Sequence, residues 1–261
     1  MKLIKRSIDA LTLQRTARLY IGLPDDYDSS KERYPVLYMQ DGHNVFLKED
    51  SFIGQTWEML QLYQNNKDLP KIIVVALDSS QKEYGRIDEY SPYQIEVKDS
   101  YLNHRGGKGD LYLSYMIETI KPLIDNEFRT LTDAKDTAIM GSSLGGLMSL
   151  YACLKYPRIF SKCASLSGSF FVSLDKMIDL ISKSEHQNIN KIYIDTGDAE
   201  IAGGGPQDYL ESNRLIYQEL AKHLPPSTLI YEVVKDGKHS EVDWAKRLKT
   251  VILHLFGKKK L

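Results

Sequence analysis

The segment Gly141-Ser142-Ser143-Leu144-Gly145 fits the pattern G-x-S-x-G, with Ser143 at its centre. The pattern serves a sharp strand-to-helix turn that lifts one hydroxyl clear of a sheet edge, where it can act as a nucleophile. Glycines flank the serine because the turn is tight and neighbouring backbone comes close. The context agrees: residues 137–140 read as a strand, and Leu147, Leu150, Tyr151 and Leu154 follow at helical spacing as a core face. A serine nucleophile needs a base, and imidazole has a suitable unperturbed pKa. Of the six histidines, at 43, 104, 186, 223, 239 and 254, one stands after the last strand-like run and just before the C-terminal helix. That is His239, in Asp236-Gly237-Lys238-His239-Ser240. His223 and His254 fall in helical stretches, where packing is the ordinary role, and His186 lies in a polar loop.

Where a serine and a late histidine work together on a parallel sheet, the carboxylate that orients the base falls between them in the chain. The strand-like run 191–195 leads into Asp195-Thr196-Gly197-Asp198-Ala199-Glu200. Asp195 reads as the strand end, so Asp198 and Glu200 are the better candidates, and spacing does not separate them. Acyl transfer also needs donors for a developing oxyanion. One is the backbone N–H of Leu144, after the nucleophile. The other is expected from Gly42-His43, after the run 36–40, with His43 giving its amide rather than its ring.

The elements that must position these groups alternate along the chain. Strand-like runs occupy 16–22, 36–40, 72–77, 137–140, 162–166, 191–195 and 229–234. Helical patterns occupy 56–64, 110–127, 144–155, 174–183, 207–223 and 242–256, with Pro206 ahead of one of them. Continuous apolar strands suit burial on both faces, and βαβα alternation predicts a mostly parallel sheet with helices on both sides. The early strands have no helix between them and predict an antiparallel N-terminal edge. From 78 to 109 the sequence reads as one loop, far above the usual two to six residues or so. It carries Tyr84, Tyr90, Tyr93 and Tyr101 with Arg86, His104 and Arg105, and reads as a binding loop.

Composition narrows the field. The 261 residues are 42% hydrophobic and 26% charged, with 34 basic and 35 acidic side chains, the profile of a soluble globular protein. A net charge of −1 gives no general attraction to nucleic acid or anionic membrane. The basic run Lys258-Lys259-Lys260 reads as a solvated tail. Cys153 and Cys163 cannot make a disulfide framework and are expected to be buried thiols in the cytoplasm. No apolar leader or bilayer-spanning run is present in the sequence. Neither H-E-x-x-H nor paired-cysteine metal spacing occurs, so no metal or cofactor is expected. Gly106-Gly107-Lys108-Gly109 lacks the rest of a phosphate loop, and Gly203-Gly204-Gly205 fails the dinucleotide fingerprint and reads as a hinge. Residues 1–261 are expected to form a single domain, its oligomeric state, a homo-oligomer included, left open.

In this order and spacing the chain resembles the putative esterase family of α/β hydrolases, which includes enterochelin (siderophore) esterases, feruloyl esterases and S-formylglutathione hydrolases. The matching blocks are Arg18-Leu19-Tyr20 with Leu23-Pro24, Tyr34 to Tyr38 leading to Asp41-Gly42, and Asp88-Glu89-Tyr90-Ser91-Pro92. Further blocks are Phe128-Arg129-Thr130, Ala138 to Gly146, Tyr156-Pro157 before Phe160, and Gly237 with His239 and Trp244. The resemblance implies an α/β hydrolase fold and hydrolysis of small-molecule carboxylic esters, with Ser143 as nucleophile and His239 as base. It points to Glu200 as the acid, with Asp198 the alternative. It also implies a second reading, cleavage of a siderophore trilactone of enterobactin or bacillibactin type, with Arg86 or Arg105 meeting an anionic catecholate. A catalytically silent ligand-binding relative is the reading of another class. Residues 168–190 hold one short helix, too little for a large cap. An open cleft is therefore expected, walled by the tyrosine-bearing loop, with Arg86, Tyr90 and Tyr93 binding a bulky or aromatic-linked ester.

Overall fold

The computed structural model describes residues 1–97, 100–201 and 205–257. Gly203 and Gly204 of the expected hinge and the Lys258-Lys259-Lys260 tail lie outside the described residues.

Eight strands form one sheet: β1 (Lys2–Ala10), β2 (Arg15–Leu23), β3 (Val36–Met39), β4 (Ile73–Leu77), β5 (Thr137–Ser142), β6 (Lys162–Leu166), β7 (Lys191–Gly197) and β8 (Leu229–Val234). Their order is β1-β2-β4-β3-β5-β6-β7-β8. β2 runs against both of its neighbours, and every pairing from β4 onward is parallel. The expected antiparallel N-terminal edge is therefore present. β1 was not among the expected strands. Its Lys2, Lys5 and Arg6 break up any apolar run, which suits an edge strand half open to water.

Successive strand side chains point to opposite faces, so a strand covered on both sides must be apolar throughout. In β3, Val36 and Tyr38 join one core, and Leu37 and Met39 join the other. In β5, Ile139 faces the first core, and Ala138 and Met140 face the second. The first core is closed by α2 (Gly85–Tyr90), α3 (Gly109–Tyr115), α4 (Lys121–Glu127), α5 (Leu144–Lys155), α6 (Leu174–Lys183) and α7 (Pro206–Ala221). The second is closed by α1 (Met59–Asn65) and α8 (Glu241–Phe256), where the Trp57 and Trp244 rings stack 5.7 Å apart.

Two expectations need correction. Segment 78–109 is not one loop, because α2 forms within it and buries Glu89 and Tyr90. The expected helix 110–127 is continuous but carries a π-helical turn at Met116–Ile120 between α3 and α4. Between β6 and β7 stand a short 3-10 turn, Phe170–Ser173, and α6, with no cap domain. Cys153 on α5 and Cys163 on β6 are free and buried, and burial pushes the Cys163 thiol well above its ordinary value. No helix among the described residues is long and apolar enough to cross a membrane.

Ile139 is fully buried on the central strand that leads into the turn at Ser143. Ile139→Ala is expected to cost about 2–5 kcal/mol of folding stability through lost contacts and a residual cavity. A shift of the urea midpoint at unchanged slope checks it.

Candidate active site

β5 ends at Ser142 and α5 begins at Leu144, so the whole reversal falls on Ser143. Its φ of 58° and ψ of −127° are rarely adopted by a residue with a side chain and cost about 1–3 kcal/mol. Surrounding bonds hold it there. The Ser143 N–H donates to the Leu166 carbonyl at 3.0 Å, and the Ser143 carbonyl accepts from the N–H of Gly146 at 3.0 Å and of Leu147 and Ser169 at 3.1 Å. A side chain at Gly141 would place its Cβ 2.7 Å from Gln40 Cγ and 2.8 Å from the Gly145 backbone, so the turn closes only with glycine.

His239 stands two residues before α8, whose start is capped by the Ser240 hydroxyl accepting from the Asp243 N–H at 3.3 Å. Its Nδ1 lies 2.6 Å from Glu200 Oε2. Glu200 has no solvent exposure, and its other oxygen accepts from the Ser167 hydroxyl at 2.5 Å and the Gly197 N–H at 2.8 Å. Ser167 in turn accepts from the Trp244 indole N–H at 2.9 Å. Burial opposes ionisation of Glu200, but the bonds from His239 and Ser167 outweigh it and hold the carboxyl below its ordinary value.

The acid and histidine loops meet where Gly197 crosses Gly237. A Cβ on Gly197 would lie 2.0 Å from the Gly237 carbonyl oxygen. The Ala199 N–H donates to that oxygen at 3.1 Å, and Asp198 accepts from the Asp236 N–H at 2.6 Å. Asp198, the alternative acid, is thus spent on joining the loops, and Glu200 is the carboxylate that meets His239. Asp195 is buried against Arg247 at 2.5 Å, and burial pushes its carboxyl up to about 6.

On the other side, Asp41 takes left-handed backbone and opens a 3-10 turn over Gly42–Asn44. The first bond of that turn runs from the Asn44 N–H to the Asp41 carbonyl, leaving the His43 N–H ahead of it without an acceptor in the turn. The Leu144 N–H, at the first position of α5, likewise has no intrahelical acceptor. Burial lowers the pKa of the His43 ring, which favours neutral imidazole.

Ser143, His239 and His43 line one cavity of about 490 Å³. Trp57, Trp244 and Phe52 give it apolar surface, and Arg86, Asp41 and Glu241 give it charge. Arg86 forks onto Asp41 through two bonds of 2.8 Å. Burial works against the Asp41 carboxylate, but Arg86 outweighs it and keeps the group ionised. Two residues expected to bind substrate do not line the cavity. Tyr90 is wholly buried, its hydroxyl accepting from the Asp41 N–H at 2.8 Å, and Tyr93 packs against Tyr151 at 5.8 Å. The wall from this segment is instead Ser79, Ser80, Gln81, Lys82, Glu83 and Arg86, because α2 turns Tyr90 inward. Arg105 lies over Tyr84, 3.9 Å from its ring centre. Among the described residues no group of three or more His, Cys, Asp or Glu side chains is placed to hold a metal ion.

Sequence reasoning missed Ser167, Ser169, Tyr209 and Glu241. The serines belong to Ser165-Leu166-Ser167-Gly168-Ser169, which carries no periodic signal.

Comparison with known proteins bears on this site. The profile of the family described as "Putative esterase" matches residues 10–255. The uncharacterized protein YbbA of Bacillus subtilis is 30% identical over 154 residues, covering 59% of this chain and 57% of that protein. An IroE-like serine hydrolase from Shewanella oneidensis superposes with a TM-score of 0.77 at 23% identity, over 98% of this chain and 80% of that one. The enterobactin esterase FES of Shigella flexneri, solved with enterobactin present, superposes at 0.73 and 20% identity, over 98% and 58%. These likenesses show the α/β hydrolase fold.

Two measurements probe the junction. Gly197→Ala is expected to part the acid and histidine loops, cutting ester hydrolysis at least about tenfold, since misplacing reacting groups by about 1 Å can cost a hundredfold. Rates beside a wild-type circular dichroism spectrum check it. Because the folded Glu200 carboxyl titrates below its ordinary 4.5, its stabilising contribution is full above that value and is lost as pH falls through the lower, folded one. Glu200→Gln should therefore melt below wild type at pH 7, by a margin that narrows as pH falls below 4.5.

Proposed function

The chain belongs to the Putative esterase family, and from that membership we propose a serine esterase that cleaves carboxylic esters of neutral or cationic small molecules through an acyl-enzyme. The observation that carries this reading is the 2.6 Å contact of His239 Nδ1 with buried Glu200, in a cavity shared with Ser143 on its strained turn.

Ser143 Oγ attacks the ester carbonyl carbon as its proton passes to His239 Nε2, and the carbonyl electron pair moves onto oxygen. The N–H groups of Leu144 and His43 receive that oxyanion. Glu200 fixes the imidazole with Nδ1–H toward itself and stabilises the imidazolium. Collapse breaks the bond to the alcohol oxygen, which leaves with the proton from His239. Water then attacks the acyl-enzyme, giving its proton to His239. The second collapse releases the acid and returns the proton to Ser143.

Charge in the cavity supports a substrate without negative charge. Arg86 is matched by Asp41, and Lys82 and Glu83 are exposed and opposite in sign. Glu241 is more buried, accepts from the Asn44 amide at 3.0 Å, and among the described residues makes no ion pair. Aromatic walls with an unmatched carboxylate favour an apolar or cationic group. A catecholate trilactone is the second reading, favoured by Arg86 on the wall. The neutralisation of that guanidinium by Asp41 makes it the weaker one. Free, buried thiols support a reducing compartment, the cytoplasm.

Ser143→Ala is expected to lower hydrolysis of a short activated ester by at least about a thousandfold with the fold intact. Near wild-type turnover would overturn the reading and leave a ligand-binding role. Among isosteric esters with cationic, neutral and anionic groups, the anionic one should be slowest, and Glu241→Gln should narrow the gap. A ferric catecholate trilactone turned over faster than all three would favour the second reading instead.

A further inference from the structure

Ser143 Oγ lies 3.0 Å from the hydroxyl of Ser169, and Ser169 Oγ lies 3.2 Å from the hydroxyl of Tyr209. Ser169 and Tyr209 are both almost fully buried. The placement is built rather than incidental. The Ser169 N–H is bonded to the Ser143 carbonyl at 3.1 Å, tying the loop after β6 to the nucleophile turn. Asn213 on α7 donates both to the Gly168 carbonyl at 2.8 Å and to the Tyr209 carbonyl at 2.9 Å, tying that loop to the helix. The Tyr209 ring also packs against His239 at 4.8 Å and edge-on to Phe171 at 5.1 Å.

Each hydroxyl in this row has one proton, which sets the direction of the bonds. Burial raises the Tyr209 phenol above its ordinary value, so it is protonated at neutral pH and free to donate. On the esterase reading above, on which this inference rests, Ser143 must direct its own proton at His239. It can then only accept, and Ser169 stands in range at 3.0 Å to donate; Ser169, having given its proton to that bond, accepts from Tyr209 at 3.2 Å. We propose that Ser169 is a third hydrogen-bond donor of the reaction, serving the nucleophile oxygen itself, and that Tyr209 positions it.

The demand for such a donor differs between the two halves of the reaction. In acylation charge flows from Oγ into the carbonyl oxygen, where the backbone amides serve. In the collapse that ends deacylation, the bond between Oγ and the acyl carbon breaks and its electron pair stays on Oγ, which takes the proton from His239. A hydroxyl donating to Oγ stabilises that departure and keeps its own proton throughout. Ser169 therefore acts most strongly on deacylation.

The test is steady-state and pre-steady-state kinetics on one activated ester with the full chain. Ser169→Ala is expected to lower kcat about tenfold to a hundredfold, at or below the effect of removing one oxyanion donor. A burst of alcohol approaching one equivalent per site should appear as the acyl-enzyme accumulates, with KM unchanged or lower. Tyr209→Phe should lower kcat about threefold to tenfold, and the double variant should be no slower than Ser169→Ala within about twofold, since Tyr209 acts through Ser169. Ser169→Thr, which keeps the hydroxyl, should restore most of kcat. Wild-type kcat in Ser169→Ala would overturn the inference, as would a fall in kcat without a burst that Ser169→Thr does not repair. A wild-type protein that turns over no ester would overturn the esterase reading and this inference together. An active wild type with an equally active Ser169→Ala overturns this inference alone.

Discussion

A carboxylate taken wholly out of water must find its hydrogen bonds inside the protein, and at Glu200 that requirement organises the molecule. Its oxygens are met by His239, Ser167 and the Gly197 amide, and Ser167 is itself met by Trp244. These groups come from the ends of β6 and β7, from the loop after β8, and from α8. Satisfying one buried charge therefore ties together the whole carboxyl end of the sheet. The glycine crossing of 197 and 237 follows from the same need, since any Cβ at Gly197 would hold the two loops apart.

A second fixed point lies across the cavity, on the central strand. Ser143 occupies strained backbone because β5 and β6 on one side and α5 on the other leave no alternative path. Asp41 takes left-handed backbone at the neighbouring strand end, and Arg86 from α2 forks onto its carboxylate. The cavity is thus framed by two buried acids with opposite duties. Glu200 meets the His239 ring, and Asp41 pairs with the Arg86 guanidinium and opens the turn that holds His43. The apolar wall between them comes from the core itself, where Trp57 and Trp244 stack and reach the cavity.

Local signals carried far along this chain. Strands buried on both faces must be apolar residue by residue, so β3 to β7 read directly from composition, and Gly141 to Gly145 marked the turn because only glycine fits beside Gln40. Other parts were illegible for physical reasons. β1 lies at the sheet edge with one side wet, and its lysines erase the apolar pattern. The tyrosines of α2 and the following segment looked like binding residues, yet Tyr90 is a core residue whose hydroxyl serves a backbone amide. Aromatic content alone does not tell an inward face from a cavity wall.

Most of the strands and helices, their alternation, the strand-to-helix turn at Ser143 and a late-loop histidine could be read along the chain, since these rest on period, glycine and chain order. Spacing left Asp198 and Glu200 equivalent, both beyond Gly197 and two residues apart, and only the family resemblance favoured Glu200. Tertiary structure separates them, turning Asp198 onto the Asp236 amide and Glu200 onto His239. It also placed Ser169 beside Ser143, and Tyr209 beside Ser169. Those contacts join residues 26 to 40 positions apart. No local propensity encodes such distances; only the closing of the sheet and the burial of its loops bring them together.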